Sequence, residues 1–334
     1  MISIAKFQIL MLVIAILFSC SNPTKDRFKT SIKFLVEKGQ RPDFSHDGKK
    51  ILYITKAGGE VEEMNIESGE KRRISAFKRP DSVGFFRALY LANGDYLLTG
   101  GKDRRGCVFY FLKKELNQPP FIINEPIWEG PAVSRKNMHI AWTPNHVTIW
   151  SGDIVCNDSG YAIVNRKLIL ESDKIFADGQ QFNDWIEPQN FRPPLEYELI
   201  FSQYGREEIF TSEVFGINLQ NGKITNYTKA PKQYDEPEGI FPNGEYTLIE
   251  SDEHNPKGTP FLDVYMVKLD GSGKNRQRLT FFNTRERQIA SNPVISDDGK
   301  FMAFDTGAGL TDTDEGMKIG IYLMDLQKAG IVTK

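Results

Sequence analysis

The sequence predicts an all-β fold, a six-bladed β-propeller of four-stranded blades, and three observations carry that prediction. A short phrase recurs along the chain: Pro42-Asp43-Phe44-Ser45-His46-Asp47-Gly48-Lys49 near the start and Pro293-Val294-Ile295-Ser296-Asp297-Asp298-Gly299-Lys300 near the end, with eroded copies at 88–94, 131–137 and 237–244. The copies return at a period of roughly 40 to 55 residues, the size of one propeller blade. Finally, the strand-like segment Ser31-Ile32-Lys33-Phe34-Leu35-Val36 precedes the first copy, while the last copy runs out of chain one strand short. A strand from one terminus that completes the last blade closes the ring and removes an exposed sheet edge.

The chemistry of the phrase explains its recurrence. Asp-Gly and Asn-Gly are favoured at the centre of a tight hairpin turn, because Gly and Asn tolerate positive φ at little steric cost. Each turn is followed by an apolar run of strand length: Ile51-Leu52-Tyr53-Ile54, Tyr96-Leu97-Leu98, Met138-His139-Ile140-Ala141-Trp142, Tyr246-Thr247-Leu248-Ile249 and Phe301-Met302-Ala303-Phe304,. Two further strands complete each unit, at 61–66 and 71–74 in the first and at 262–269 and 277–280 in the fifth. Six units begin near Arg41, Arg87, Gly130, Glu187, Glu236 and Asn292. In the fourth, Arg192-Pro193-Pro194 stands where the others carry their polar turn.

The phrase Pro-x-Phe-Ser-x-Asp-Gly-Lys followed by an apolar strand resembles the TolB-type propeller repeat, a relative of the WD repeat. The resemblance spans most of residues 31 to 326 and implies the fold. It leaves function open, because such propellers serve as binding platforms, as enzymes and as the gating half of peptidases. Composition agrees with an all-β body, with 12% aromatic residues and 28 Gly in 334 residues. A net charge of -2 gives no electrostatic case for nucleic acid,.

The N-terminus is a separate object. Lys6 precedes the apolar run Phe7 to Phe18, short for a membrane span and well sized for a signal sequence,. The run ends in Leu17-Phe18-Ser19-Cys20, which resembles the bacterial lipobox, where a diacylglycerol is attached to the Cys and the chain is cut before it. The expected organisation is a lipoprotein signal peptide at 1–19, a polar tether at 20–30 beginning with lipidated Cys20, and the propeller at 31–334. Ser21 after the Cys implies, by the same resemblance, an outer-membrane protein facing the periplasm or the surface. Cys107 and Cys156 fall in strand-like segments of different blades and are expected as free thiols rather than as a disulfide,.

The site is expected on the face that carries the long loops. One set of turns is tight, as at 46–48, 67–69, 92–94, 219–222 and 297–299, and the other is long, as at 76–86, 171–185, 251–261 and 305–318. Binding residues concentrate on long loops held by a rigid scaffold. Residues entering each innermost strand ring the channel mouth on that face, which nominates Arg41, Arg87, Glu129, Glu187, Glu236, Glu238 and Asn292 as ligand-binding, with Asp252 and His254 from the loop at 251–261. Such a funnel suits a zwitterionic peptide end or a sugar acid, or serves only to solvate a water-filled channel.

Two acidic clusters, Glu250 to Asn255 and Asp305 with Asp312, Asp314 and Glu315, offer oxygen donors for calcium or manganese, without the spacing of a calcium loop,. Oligogalacturonate lyases, propellers related to this repeat, hold manganese mainly with several His, whereas this chain has 4 His. It has no Gly-x-Ser-x-Gly elbow, no phosphate loop and no His-Glu-x-x-His,. The expected function is therefore an envelope lipoprotein whose propeller is a binding or scaffolding module for a protein, peptide or glycan. The alternative is a carbohydrate-active lyase or hydrolase using the acidic loops and a divalent metal.

Overall fold

The computed structural model describes residues 23–158, 160–182, 184–206, 210–256, 261–283, 289–307 and 318–331. The signal segment and Cys20 lie outside them, as do Asp312, Asp314 and Glu315. None of the described helices is long and apolar enough to cross a membrane.

The chain enters through helix α1 (Pro23–Ser31) and strand β1 (Ile32–Glu37). The first blade is β2 (Gln40–Phe44), β3 (Lys50–Ile54), β4 (Val61–Asn65) and β5 (Lys71–Arg73). The second is β6 (Gly84–Tyr90), β7 (Tyr96–Gly101), β8 (Cys107–Leu112) and β9 (Phe121–Ile127). The third is β10 (Ala132–Val133), β11 (His139–Trp142), β12 (Thr148–Asn157) and β13 (Gly160–Glu171), followed by a small hairpin, β14 (Ile175–Ala177) and β15 (Gln180–Phe182). The fourth is β16 (Ile186–Phe191), β17 (Glu198–Arg206), β18 (Phe210–Asn218) and β19 (Ile224–Asn226). The fifth is β20 (Asp235–Ile240), β21 (Tyr246–Ser251), β22 (Asp263–Lys268) and β23 (Arg276–Arg278). The sixth is β24 (Ala290–Ile295), β25 (Phe301–Thr306) and β26 (Gly320–Asp325), and β1 adds its outermost strand.

Closure by the N-terminal strand is as the sequence predicts. Ile32 pairs with Met324, Phe34 with Tyr322 and Glu37 with Gly320, and the Phe34 and Tyr322 rings meet edge to face at 5.1 Å. The segment expected as a polar tether differs in its described part: it is helical, and Phe28 is buried, stacking on Phe281 at 6.1 Å. One aromatic side chain in an otherwise polar stretch is enough to dock a short helix into the groove between the fifth and sixth blades.

The turns also differ in detail. Gly48, Gly94, Gly244 and Gly299 have φ between 68° and 83°, and each donates its N–H to the carbonyl three residues earlier at 2.8 Å. Glycine thus closes the turn instead of sharing its centre with the preceding Asp or Asn. The Ser and Asp of the phrase hold it: Ser45 Oγ donates to Asp47 Oδ1 and Ser296 Oγ to Asp298 Oδ1, both at 2.7 Å, while Ser45 and Ser296 accept the N–H of Lys50 and Phe301 at 3.0 Å.

The core is segmented by blade. Apolar side chains fill each of the six blade interfaces, for example Leu52 and Ile54 against Ala88 and Leu98, Phe109 against Trp142, Ala141 against Phe201, and Phe44 and Tyr53 against Ala303 and Ile321. Both described Cys are free thiols, Cys107 buried in the second blade and Cys156 half-buried in the third.

Candidate functional site

The innermost strands do more than line a channel. In five blades the pairing of the first two strands slips by a bulge at the strand's entry: between Gln40 and Asp43, Phe85 and Arg87, Pro188 and Asn190, Pro237 and Gly239, and Ser291 and Val294. Bulges of this kind bend the strand and re-aim side chains. Arg41 and Asn292 sit in the bulges with φ of 53° and 48°, and Glu129 and His146 also have positive φ. Non-glycine residues held there are strained, and strain concentrates at functional sites.

The result is a cavity of about 620 Å³ at the long-loop mouth of the channel, within the usual range of about 300–1,000 Å³ for small-molecule sites,. Its base carries Arg41, Glu129, Glu187, Glu236, Glu238 and Asn292 from the expected set, together with Glu250; its walls are Trp128, Trp185, His146, Tyr204, Phe210 and Tyr234, and Arg104 and Arg105 stand at its edge. Arg87 lies just beneath and crosses the channel to Glu238 at 2.7 Å and to Asn292 Oδ1 at 3.3 Å. Glycine at 130 makes this crossing possible, since a Cβ there would come within 2.7 Å of Arg87 Cγ. Asp252 and His254 do not join the group. Asp252 turns back to accept the Tyr234 N–H at 2.8 Å, and His254 reaches Tyr265 and Asn283 at 3.1 and 3.2 Å. Strand β21 ends at Ser251, so the alternation that would have kept residue 252 beside Glu250 is lost.

Charge is unevenly matched. Arg41 pairs with Glu129, to which Arg104 adds a contact at 3.6 Å, and Arg87 pairs with Glu238. Glu187, Glu236 and Glu250 have no described arginine or lysine as partner. Glu236 accepts from the hydroxyls of Tyr204 and Tyr234 and from Gln189 at 3.3 Å. Glu187 accepts from Tyr204 at 3.3 Å, and Glu250 from the Asn292 N–H at 2.6 Å.

Burial, with Glu238 adding to it, pushes the Glu236 carboxyl up to about 7 against the opposing hydrogen bonds of the two tyrosines. Burial, and then the surrounding carboxylates, raise Glu187 and Glu250 well above the ordinary value. For Glu129 burial acts the same way, but Arg41, Arg104 and Arg87 outweigh it and hold the carboxyl below its ordinary value. His146 is driven down to about 4 by burial, so its imidazole is neutral. It packs against Trp128 and Trp185 at ring distances of 4.3 and 5.2 Å, and neither ring nitrogen has a hydrogen-bond partner.

Among the described residues, no group of three or more His, Cys, Asp or Glu is placed to hold a metal ion. His46, His139, His146 and His254 lie in four separate places: a turn beside Asp297, the start of β11, the cavity wall and the flank of the fifth blade.

Sequence reasoning named Glu250 only as a possible metal donor, not as part of the cavity base, and missed the aromatic walls. Glu250 was within reach, because the turn at 243–244 sets a register that places it opposite Glu236. Trp128 and Trp185 precede their blades in connecting segments, and Tyr204 closes a second strand, positions that the repeat does not mark.

No family model and no curated protein matches the chain. Solved structures do. The β-propeller domain of Cps50 (Swd1) from Myceliophteria thermophila matches at TM-score 0.54 and 9% identity, covering 88% of this chain and 99% of that one. An oligogalacturonate lyase in complex with manganese matches at TM-score 0.50 and 14% identity, covering 90% and 76%. A TolB from Agrobacterium tumefaciens matches at TM-score 0.40 and 14% identity, covering 87% and 78%. At these identities the shared feature is the β-propeller fold. The manganese named for the lyase has no corresponding donor cluster among the described residues here.

Proposed function

We propose that the chain is a lipoprotein of the bacterial envelope, anchored through Cys20 to the outer membrane, and that its propeller is a binding module whose ligand, a peptide or glycan borne by a partner or free, enters the funnel on the long-loop face. The observation that carries the reading is the cavity itself: about 620 Å³, with aromatic walls and a base of buried carboxylates, at the long-loop end of the channel. Apolar walls with a few convergent polar groups and perturbed carboxyls are the usual composition of a small-molecule site.

Binding is tested by arraying peptides and glycans against wild type, Trp185→Ala and Asp298→Ala. Ligands retained by Asp298→Ala and lost by Trp185→Ala support the funnel, and ligands lost only by the turn variant place the site on the other face. The anchor is tested separately: Cys20→Ala should abolish palmitate labelling and partition into detergent, and equal behaviour of the two proteins would remove the lipoprotein reading.

A second reading, a carbohydrate-active lyase or hydrolase, draws on Glu236, whose carboxyl at about 7 suits a general acid or base near neutral pH,. Release of reducing ends from polysaccharides by wild type and not by Glu236→Gln would favour it.

A further inference from the structure

We propose that the funnel takes a zwitterionic ligand, with a protonated amine directed inward among Glu187, Glu236 and Glu250 and an anionic group outward at Arg104 and Arg105; this rests on the funnel being the binding site. Charge in the base of the funnel is mismatched. Two of the base arginines are committed, Arg41 to Glu129 and Arg87 to Glu238, and the three remaining glutamates face the cavity without a described cation. Carboxyls crowded in a buried site avoid mutual repulsion by holding their protons, and a cation placed between them favours their charged form.

The walls point to the same ligand. Trp128, Trp185, Tyr204 and Tyr234 present aromatic rings around the acids, and aromatic faces attract ammonium groups. His146 supplies an independent observation. Its side chain is only 7% exposed, its Nε2 lies 3.5 Å from Glu187 Oε2, and both ring nitrogens lack a hydrogen-bond partner. A buried polar group left unsatisfied is costly, and a neutral imidazole offers an acceptor nitrogen to an incoming N–H donor.

The opposite polarity stands at the rim. Arg105 is exposed, lies over the Trp128 ring at 5.2 Å and has no described carboxylate partner, and Arg104 is half exposed. A ligand that fits carries its positive end deep and its negative end shallow, as a short peptide with a free N-terminus or an amino-sugar phosphate does.

The test is calorimetric titration of the purified full chain with triglycine, N-acetyl-triglycine, triglycinamide and glucosamine 6-phosphate. Triglycine or glucosamine 6-phosphate should bind, and the one that does identifies the source of the amine. Should triglycine be the binder, removing its ammonium by acetylation should cost at least about thirtyfold in affinity. Amidation should cost less, and that loss should disappear in Arg105→Ala. Glu236→Gln and Glu250→Gln should each weaken whichever amine binds by about tenfold or more, with unchanged circular dichroism showing that the ring is intact. If N-acetyl-triglycine binds as well as triglycine and Trp185→Ala abolishes both, the amine proposal is overturned and the funnel stands. If none of the four probes binds, the amine proposal is also overturned, and the array experiment alone decides whether the funnel binds anything.

Discussion

The two ends of the central channel are built from the same six inner strands, yet one end satisfies its charges and the other does not. At the tight-turn end Arg135 reaches across to Asp297 at 2.7 Å, to Asp43 at 3.5 Å and to the Phe44 carbonyl at 3.0 Å, while His46 bonds Asp297 at 2.7 Å and the Leu91 carbonyl at 2.8 Å. Asp43 also accepts the Tyr90 N–H at 2.8 Å. Residues from four blades thus meet in one network across the channel, beside a small cavity of about 80 Å³. At the long-loop end, three carboxylates remain after every described arginine in the base is paired. A matched buried network holds a ring together, whereas an unmatched one holds it less well and leaves the site attractive to something else.

The largest effect should come from breaking the matched end. Arg135→Met leaves Asp43 and the partly exposed Asp297 without their guanidinium and should cost about 1.5–3 kcal/mol, read as a lower urea midpoint, because it removes charged hydrogen bonds that join the blades,. If the variant is as stable as wild type, the narrow end is no clasp. Next in size is the pH dependence of the wide end. Glu236 keeps its proton in the folded state up to about 7, against an ordinary value of 4.5, so between those values the folded chain binds more protons than the unfolded one. Its contribution is then full below pH 4.5 and is lost as pH rises through 7.

Glu187 and Glu250 act in the same direction, and so does His46, raised by its hydrogen bond to Asp297. His146, held at about 4 by burial, acts the other way below its ordinary 6.5, so thermal melts should fall most clearly from pH 6.5 to pH 8, and Glu236→Gln should flatten that slope while raising stability at pH 8 by on the order of 1 kcal/mol. A wild-type slope of the opposite sign would mean that the wide end is charge-matched after all. The smallest effect belongs to Asp298→Ala on a tight turn, which removes acceptors for Ser296 and Lys300. It should cost about 0.5–1 kcal/mol in unfolding experiments and nothing in ligand affinity.

The same contrast marks what the sequence made legible. The narrow end is built from the recurring phrase itself: Asp43, His46 and Asp297 lie within it, and so the turns, the blade starts and the closing strand could all be read from spacing. The base of the wide end was legible through the residues that enter the inner strands, Arg41, Glu187, Glu236 and Asn292 among them. Its walls were not. Trp128 and Trp185 come from connecting segments of differing length, and the hairpin β14–β15 interrupts the second of these connections. Glu250 stood out as a member of an acidic run, but only strand register sets it opposite Glu236, and Asp252 and His254 were misplaced because a loop keeps no alternation once the ladder ends.

The strand β1 carries a consequence in time. It leaves the ribosome before any blade, and its partner β26 belongs to the sixth blade. Each blade can pair its own strands as they emerge, since their contacts are local, but the ring has no closed form until β26 is made. Until then the apolar side chains of β1, Phe34 on one side and Val36 beyond the bulge on the other, have only water or another molecule to face. Closure of the propeller is thus a single late event of high sequence separation, with an entropic cost that grows slowly with the length of the loop it completes, and conditions that delay it favour the exchange of β1 between neighbouring copies.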